Sequence, residues 1–269
     1  MDLPAAEIRP YTAEDSKLAL FIVGKSNMEQ LAVANNRVYT NPLTISIWVL
    51  LSAIFVQYMK WWPSTAQYGW VSYLRPLPAL ASMAVPVMFF VDWINRPYFE
   101  KITQEILRQP DMIQIAKHYT LSPASGFWIL EYANRFVGLI ALDASGDAVP
   151  PAAQIEGDGG AKKAKQAKTK QAETPRTAII RHFYVDEAFR GARIQDDLLT
   201  HAVDYAFSND PSLVAIQATD SPLASYTREA LRKAGFQLDH YTDKVGIFGW
   251  KLGVREVERS EWKKTTKTG

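Results

Sequence analysis

The stretch TAIIRHFYVDEAFRGARIQDDLLTHAVDYAFSND, residues 177–210, decides how this chain folds. Its first nine residues are rich in β-branched and aromatic side chains and predict a long strand. A turn containing Gly191 follows, and apolar residues then recur at helical spacing from Ile194 to Tyr205. The stretch therefore predicts a strand, a glycine turn and a helix in immediate succession.

Further strands and helices flank this unit on both sides. Upstream, a short strand carries Ile8, and Thr12 with Asp15 forms an approximate capping box at the start of an amphipathic helix. Phe127–Leu142 predicts two strands that turn at Ala133–Asn134. Downstream, the pattern predicts a strand at 213–219, a helix at 222–235 and one or two closing strands at 236–252. This order predicts an α+β fold with a mixed sheet flanked by helices.

Two apolar runs, Leu43–Met59 and Leu77–Trp93, interrupt this pattern near the front of the chain. Each is close to the shortest length that spans a bilayer, and interfacial aromatic residues follow the first run. Pro86 lies in the middle of the second run, where a membrane helix tolerates it, and Asp92 lies at its far edge. The runs predict a transmembrane hairpin; the alternative is a soluble helical hairpin buried in a core.

A two-span hairpin places both flanking regions on the same side of the membrane. The chain has no cysteine, so nothing in it indicates an oxidising compartment. It also has no Asn-X-Ser/Thr acceptor, and Asn41 is followed by proline. We therefore expect both termini to be cytosolic.

The low-complexity run 144–176 contains GDGGAKKAKQAKTKQAETP and is predicted to be a disordered, lysine-rich insert. The sequence then divides into six parts. They are the first strand and helix at 1–40, the hairpin at 41–95, connecting helices and hairpin strands at 96–143, the insert at 144–176, the second half of the sheet domain at 177–252, and a loose, charged tail at 253–269.

Composition excludes several classes of function. The net charge of +2 over 269 residues gives no indication of a nucleic-acid partner. Four histidines, no cysteine and no clustered ligand spacing imply no metal site. The predicted hairpin instead makes the lipid bilayer the expected partner.

The order of elements over residues 7–252, apart from the insert, resembles the GNAT acyltransferase fold, and in particular membrane-attached N-acetyltransferases with a hydrophobic hairpin. The resemblance depends on IRPYTAED at 8–15, on the Val-Gly pair ending at Gly138, on the glycine turn at Gly191, and on LRKAGF at 231–236. It implies acetyl-CoA as cofactor and N-acetyl transfer as activity.

The resemblance also implies which residues hold the cofactor. Backbone N–H groups in the turn and at the start of the following helix would bind the pyrophosphate. The implied binding residues are Val185, Arg190, Gly191, Ala192 and Arg193.

The turn departs from the family pattern Gln/Arg-x-x-Gly-x-Gly/Ala. Gly191 is kept, but Ala188 occupies the first position and Arg193 the last. Arg193 could contact phosphate or fill the space that phosphate needs, while Asp196 and Asp197 would repel it. A well-capped helix after a tight turn explains the same residues without coenzyme A.

The resemblance also locates the expected acid and base. The family often has a tyrosine four residues before the Gly-Phe pair, where this chain has Leu231, and Tyr226 is expected to point to a different helix face. On the long strand, His182 is the candidate catalytic base. A packed or surface histidine is the alternative.

A second, narrower resemblance links RIQDDLLTHAVDYAF and ANNRVYTNPL to fungal endoplasmic-reticulum accessory proteins for export of an inorganic phosphate transporter. It implies an endoplasmic-reticulum membrane protein that assists a polytopic membrane client. The altered turn and the missing tyrosine favour this non-catalytic function. The alternative is a membrane-attached, acetyl-CoA-dependent N-acetyltransferase.

Overall fold

A computed structural model of the protein describes residues 6–63, 69–145 and 176–265. The strands in these ranges are β1 Ala6–Pro10, β2 Gly126–Tyr132, β3 Arg135–Asp143, β4 Arg176–Val185, β5 Leu213–Asp220, β6 Gln237–Val245 and β7 Trp250–Glu258. The α-helices are α1 Ser16–Tyr39, α2 Pro42–Met59, α3 Leu77–Leu107, α4 Pro110–Ile113, α5 Ile115–Tyr119, α6 Glu187–Arg190, α7 Ile194–Asn209, α8 Ser225–Lys233 and α9 Arg259–Thr265.

The strands form one sheet in the order β1-β2-β3-β4-β5-β7-β6. All neighbours are antiparallel except β4 and β5, which are parallel. The β2–β3 turn has positive φ at Ala133 (52°) and Asn134 (59°), which is the geometry of a tight two-residue hairpin. A mixed sheet with helices on both faces confirms the predicted α+β fold class.

Each face of the sheet is covered by its own hydrophobic core. On one face, α7 and α8 pack against the strands through Leu198, Leu199, Val203, Ala230 and Leu231. On the other face, α1, the end of α3, α4 and α5 supply Ile22, Val23, Ile106, Met112 and Ile115. The central strands β3 and β4 are therefore buried on both sides and form a rigid base for a site.

Two glycines of the sequence motifs have physical reasons to be glycine. A Cβ on Gly138 of β3 would lie 2.7 Å from the carbonyl oxygen of Tyr184 and 2.9 Å from Leu198, so only glycine lets β4 and α7 approach this closely. Gly235 ends α8 with φ 87°, and the next N–H, of Phe236, donates to the carbonyl of Leu231 at 2.9 Å. The Gly-Phe pair is thus a helix C-cap followed by a buried aromatic residue.

Two helices are long and apolar enough to cross a bilayer, namely α2 and a segment within Gly69–Leu107 that includes α3. Only 11% of the most apolar window of each is buried in the protein, whereas a core helix of a soluble protein would be mostly buried. The two helices contact each other, Ser52 of α2 and Ala79 of α3 are small and buried, and the indole N–H of Trp48 donates to the carbonyl of Leu80 at 2.9 Å. Helix α3 then continues unbroken into the sheet domain.

The prediction of a loose tail from residue 253 is wrong as far as residue 265. Gly253–Glu258 forms the second half of β7 and pairs with β5. Trp262 of α9 is buried, and its indole N–H donates to Asp204 at 2.7 Å. Arg259 donates to the carbonyls of Phe207 and Leu213 at 2.6 and 2.8 Å. Residues 253–265 therefore belong to the folded domain.

The predicted insert has narrower bounds than 144–176. Ala144 is completely buried and its N–H donates to Ser125 at 2.8 Å, while Arg176 is the first residue of β4. The lysine-rich residues 146–175, to which the prediction of disorder applies, lie outside the described residues.

Candidate functional site

The parallel strands β4 and β5 separate in the middle of the sheet. They pair from Arg176–Leu213 up to Ile180–Ala218, but β4 continues to Val185 without β5 beside it. A register shift between β3 and β4 makes Arg181 an extra residue at this point, and such a bulge bends a strand away from its neighbour. The separation leaves this edge of β4 without a neighbouring strand beyond Ile180.

A cavity of about 120 Å³ lies where the strands separate. Its walls include residues 180–184 of β4, Ala218 and Thr219 of β5, Ser26, Asn27 and Gln30 of α1, and Tyr226, Thr227 and Leu231 of α8. A single water needs about 10–15 Å³ by a comparable measure, so the cavity has room for a short acyl chain. The hydroxyl oxygen of Thr219 is buried here and has no hydrogen-bond partner among the described residues.

His182, the predicted base, is a buried wall residue of this cavity. Its Nε2 lies 2.8 Å from Oδ2 of Asp111, which also accepts a hydrogen bond from the hydroxyl of Tyr119 at 3.2 Å. Burial alone would favour protonation of Asp111, but His182 and the nearby Arg181 outweigh it and hold the pKa of Asp111 below its usual value. An ionised Asp111 therefore orients the imidazole of His182.

A second histidine–aspartate pair lies beside the first. Nε2 of His118 lies 2.9 Å from Oδ2 of Asp143, which also binds Nε of Arg181 at 2.6 Å. Burial opposes ionisation of Asp143, but bonds from Ser145 and the charge of Arg181 keep its pKa below the usual value. His118 is not a wall residue of the cavity, so the two pairs differ in their access to a ligand.

Tyr226 also lines the cavity, although it was expected on a face away from the site. It lies in the first turn of α8, and its long side chain reaches the end of β4. Burial raises the pKa of Tyr226 far above its usual value, and the positive charge of Arg190 only partly opposes this. The hydroxyl is therefore protonated at neutral pH and can donate a hydrogen bond. Leu231, at the position of the family tyrosine, is buried beside it.

The five predicted cofactor residues lie at the end of β4 and in the turn to α7, and none of them is a wall residue of the cavity, although Arg190 stacks on the wall residue Tyr226. Asp186 caps the short helix α6 by accepting from the N–H of Ala188 at 3.2 Å. Gly191 has an ordinary helical φ of −63°, and a Cβ added to it would meet nothing within 4 Å. Arg193 (φ 61°), not Gly191, takes the left-handed conformation in this turn.

Both arginines of the turn are bound by carboxylates. The guanidinium of Arg190 donates from its two terminal nitrogens to Glu29 of α1, at 2.9 Å for the Nη2–Oε2 bond, and from Nε to the carbonyl of Val185 at 2.9 Å. Arg193 binds Oδ2 of Asp196 at 2.9–3.0 Å. The N–H of Ala192 donates within the turn, to Phe189 at 3.1 Å. These contacts reduce the positive potential that a polyphosphate would meet.

Sequence reasoning found His182 and the turn but missed Asp111, Tyr119 and Glu29. Asp111 is 71 residues from His182 in the chain, and Glu29 is 161 residues from Arg190. Of these three residues, only Asp111 has a local sequence signal, because it directly follows Pro110, which marks the start of helix α4.

Comparison with known proteins agrees with this fold. A sequence profile of the acetyltransferase (GNAT) family matches residues 88–236, which is more than half of the chain. The chain therefore belongs to the GNAT acetyltransferase family. No curated protein matches the chain as a relative.

Solved structures of similar fold include two acetyltransferases. The spermidine N-acetyltransferase from Vibrio cholerae, in complex with CoA and spermine, is 10% identical over 96% of this chain and 98% of its own, with a TM-score of 0.46. The aminoglycoside acetyltransferase AAC(6')-Ib, in complex with ribostamycin and coenzyme A, is 14% identical over 97% of both chains, with a TM-score of 0.44. With TM-scores below 0.5, neither likeness supports a conclusion about the fold, the activity or the substrate of this chain.

Proposed function

We propose that the protein is an acetyl-CoA-dependent N-acetyltransferase that is attached to a membrane by its α2–α3 hairpin. The observation that carries the proposal is the cavity between the separated strands β4 and β5, with the His182–Asp111 pair in its wall. A buried hydrogen-bonded base beside a narrow cavity in a GNAT-family chain is the arrangement that amine acylation requires.

The residues of the cleft fit acetyl-CoA in shape. The edge of β4 beyond Ile180 has no strand beside it, so backbone groups of residues 181–184 can bind the amides of an extended arm as a neighbouring strand would. The carbonyl of Val185 is already bound by Arg190. The free hydroxyl of Thr219 offers a further polar contact. Gly191 and its open surroundings leave space for a phosphate at the turn. Acetyl-CoA, when bound, supplies the acetyl group as a thioester.

His182 and Tyr226 then have complementary roles. His182 would accept the proton that the acceptor amine loses on acylation, and ionised Asp111 would stabilise the imidazolium. The protonated hydroxyl of Tyr226 would donate a hydrogen bond to the sulfur that leaves as the thiolate. Asp111 is a positioning residue, because it acts through His182.

The electrostatics of the turn favour weak cofactor binding. Arg190 and Arg193 are already bound by Glu29 and Asp196, and Asp197 adds a further negative charge to the first turn of α7. This observation favours a second function, a non-catalytic GNAT module that has lost its cofactor. The two functions differ in whether the cleft binds acetyl-CoA.

The accessory role in phosphate-transporter export has no support from the fold or the comparisons, and we do not propose it. The endoplasmic-reticulum membrane, the cytosolic location of both termini and a polytopic client remain predictions from the sequence. Membrane attachment is proposed because α2 and α3 expose apolar side chains over most of their length.

The test is calorimetric binding of acetyl-CoA to the full chain in lipid nanodiscs. We expect binding that Ser26→Phe abolishes, because this side chain enters the cavity from α1, and that Ala32→Phe on the exposed face of α1 leaves unchanged. Gly191→Asp adds a negative charge in open space and should weaken binding, whereas Gly191→Ala should not. A folded protein that binds no acetyl-CoA would leave the non-catalytic module as the function.

A second measurement separates binding from catalysis. The same nanodiscs are incubated with acetyl-CoA and a primary amine, and thiol release is followed. Thiol release that depends on the amine and on His182 supports the transferase. Binding without thiol release over a panel of amines would favour a cofactor-binding module over an enzyme.

A further inference from the structure

The tip of the β6–β7 hairpin, residues 244–251, exposes apolar side chains. Gly246 and Gly249 close the turn, with the N–H of Gly249 donating to Gly246 at 3.0 Å. Between them Ile247 and Phe248 are 44% and 43% exposed, although both are large and apolar. Neither side chain lines the cavity between β4 and β5.

The β6–β7 tip is fixed next to the apolar part of α3. The side-chain oxygen of Asn95 accepts a hydrogen bond from the N–H of Ile247 at 2.9 Å. Asn95 is completely buried and donates to Asn35 of α1 at 2.9 Å, and Asn35 donates in turn to Asp92 at 2.8 Å. These bonds link the tip, α1 and α3 at a single level along α3.

Asn95 lies just beyond the end of the apolar run Leu77–Trp93. Trp93, Phe90 and Phe89 precede Asn95 by two, five and six residues and are 63%, 55% and 71% exposed. At a rise of about 1.5 Å per residue, Phe90 is only about 7 Å from Asn95 along the helix axis. The tip therefore lies at the depth where an inserted α3 would pass from hydrocarbon to headgroups.

The β6–β7 tip also carries two exposed lysines. Lys244 and Lys251 face each other directly across the β6–β7 ladder, an arrangement in which like charges destabilise a sheet. Neither forms an ion pair with any residue in the described ranges, and Lys251 lies 5.3 Å from the ring of Tyr241. A negatively charged surface would remove this repulsion.

From these contacts we infer that the β6–β7 tip is a third membrane contact, in which Ile247 and Phe248 enter the interfacial layer and Lys244 and Lys251 bind anionic phospholipid headgroups. The inference rests on the membrane attachment proposed above. Because the tip and α1 are bonded to the same part of α3, this contact fixes the acetyl-CoA cleft, which α1 lines, in one orientation on the bilayer.

The chain contains no cysteine, so single spin labels can be placed without a background. Phe248→Cys, Phe89→Cys and Gln237→Cys are each labelled with a nitroxide in full-length protein, in vesicles of phosphatidylcholine and phosphatidylglycerol in equal amounts. Phe89 reports the hydrocarbon, and exposed Gln237, at the other end of β6, reports the aqueous side of the same hairpin. Accessibility to oxygen and to a water-soluble nickel complex gives the depth of each label.

We expect the label at 248 to be several-fold less accessible to nickel than the label at 237, and to be shallower than the label at 89. Replacing phosphatidylglycerol with phosphatidylcholine, or adding Lys244→Gln and Lys251→Gln, should raise the nickel accessibility of the label at 248 towards that of the label at 237. If the label at 248 is as accessible to nickel as the label at 237 while the label at 89 lies in hydrocarbon, the inference is overturned and the hairpin attachment stands. If the label at 89 is in water, both the inference and the hairpin attachment are overturned.

Discussion

The guanidinium carbon of Arg190 lies 3.8 Å from the ring centroid of Tyr226. Arg190 thereby connects the predicted phosphate turn to the cleft, because Tyr226 lines the cavity and Glu29 of α1 holds the other side of the guanidinium. A stacked, bidentate arginine is strongly fixed in position. Its charge, however, is already compensated by Glu29, so it attracts an anionic ligand less than a free arginine would.

Removal of the carboxylate of Glu29 should strengthen the binding of acetyl-CoA. We expect Glu29→Gln to lower the Kd for acetyl-CoA by about three- to tenfold, since a partly exposed charge pair is worth about 1 kcal/mol. Calorimetry in nanodiscs would measure the Kd at low and at high salt. The difference in Kd between Glu29→Gln and the unmodified chain should shrink as the salt concentration rises. Glu7→Gln, with the same change of charge on the edge strand β1, is the control. Weaker binding in Glu29→Gln would mean that Glu29 serves to hold Arg190 in place.

The two histidine–aspartate pairs allow a matched test of catalysis. We expect His182→Gln to lower kcat for acetyl transfer by about a hundredfold, and Asp111→Asn to lower it less, because the base remains but loses its orienting charge. The Kd for acetyl-CoA should not change in either variant. His118→Gln alters the neighbouring pair, which does not line the cavity, and should retain kcat. Equal losses in His118→Gln and His182→Gln would indicate a purely structural role for both.

Local sequence patterns predicted those parts of the fold that depend on local physics. The Val-Gly and Gly-Phe motifs mark Gly138 and Gly235, where close packing and a helix end exclude other residues. The β-branched and aromatic residues of 177–185 predicted β4, and the strand position of His182 predicted a residue that lines the cavity. Gly235 depends on Leu231, four residues away, whereas Gly138 depends on the next strand, β4, and on α7.

The remaining features depend on contacts between distant segments. Asp111 and Glu29 reach the site only because α4 and α1 pack on the same face of the sheet. The end of the chain was predicted to be loose because its charged residues are prominent, whereas in the fold Arg259 binds backbone carbonyls and Trp262 fills a core position. Local patterns contain no information on these partners.

The closing helix α9 should therefore contribute strongly to stability. We expect Trp262→Ala to lower the free energy of unfolding by about 3–5 kcal/mol, because it empties a buried aromatic position and leaves Asp204 without its indole donor. The midpoint of thermal unfolding in detergent, followed by circular dichroism, would measure the loss. Exposed Lys263→Ala on the same helix should change stability little. An unchanged midpoint in Trp262→Ala would mean that α9 is not packed in solution.

Asp15 should make the fold sensitive to acid. Its carboxylate binds the guanidinium of Arg9 at 2.7 and 2.8 Å and accepts from the N–H of Thr12 at 2.8 Å, and these bonds lower the pKa of Asp15 strongly against the opposing effect of burial. The unfolded chain takes up this proton at an ordinary pKa of about 3.9, so the stabilisation is complete above about pH 5 and falls as the pH drops further.

Asp15→Asn should therefore lower the free energy of unfolding by about 1.5–3 kcal/mol at neutral pH, which is the usual contribution of hydrogen bonds to a charged group. The loss should become progressively smaller towards pH 2. Urea unfolding of the detergent-solubilised protein over this pH range would measure the difference from the unmodified chain. The neighbouring, exposed Glu14→Gln is the control and should show little difference at neutral pH. A difference for Asp15→Asn that stays constant from neutral pH to pH 2 would contradict the lowered pKa of Asp15, because protonation would then not be coupled to folding at this residue.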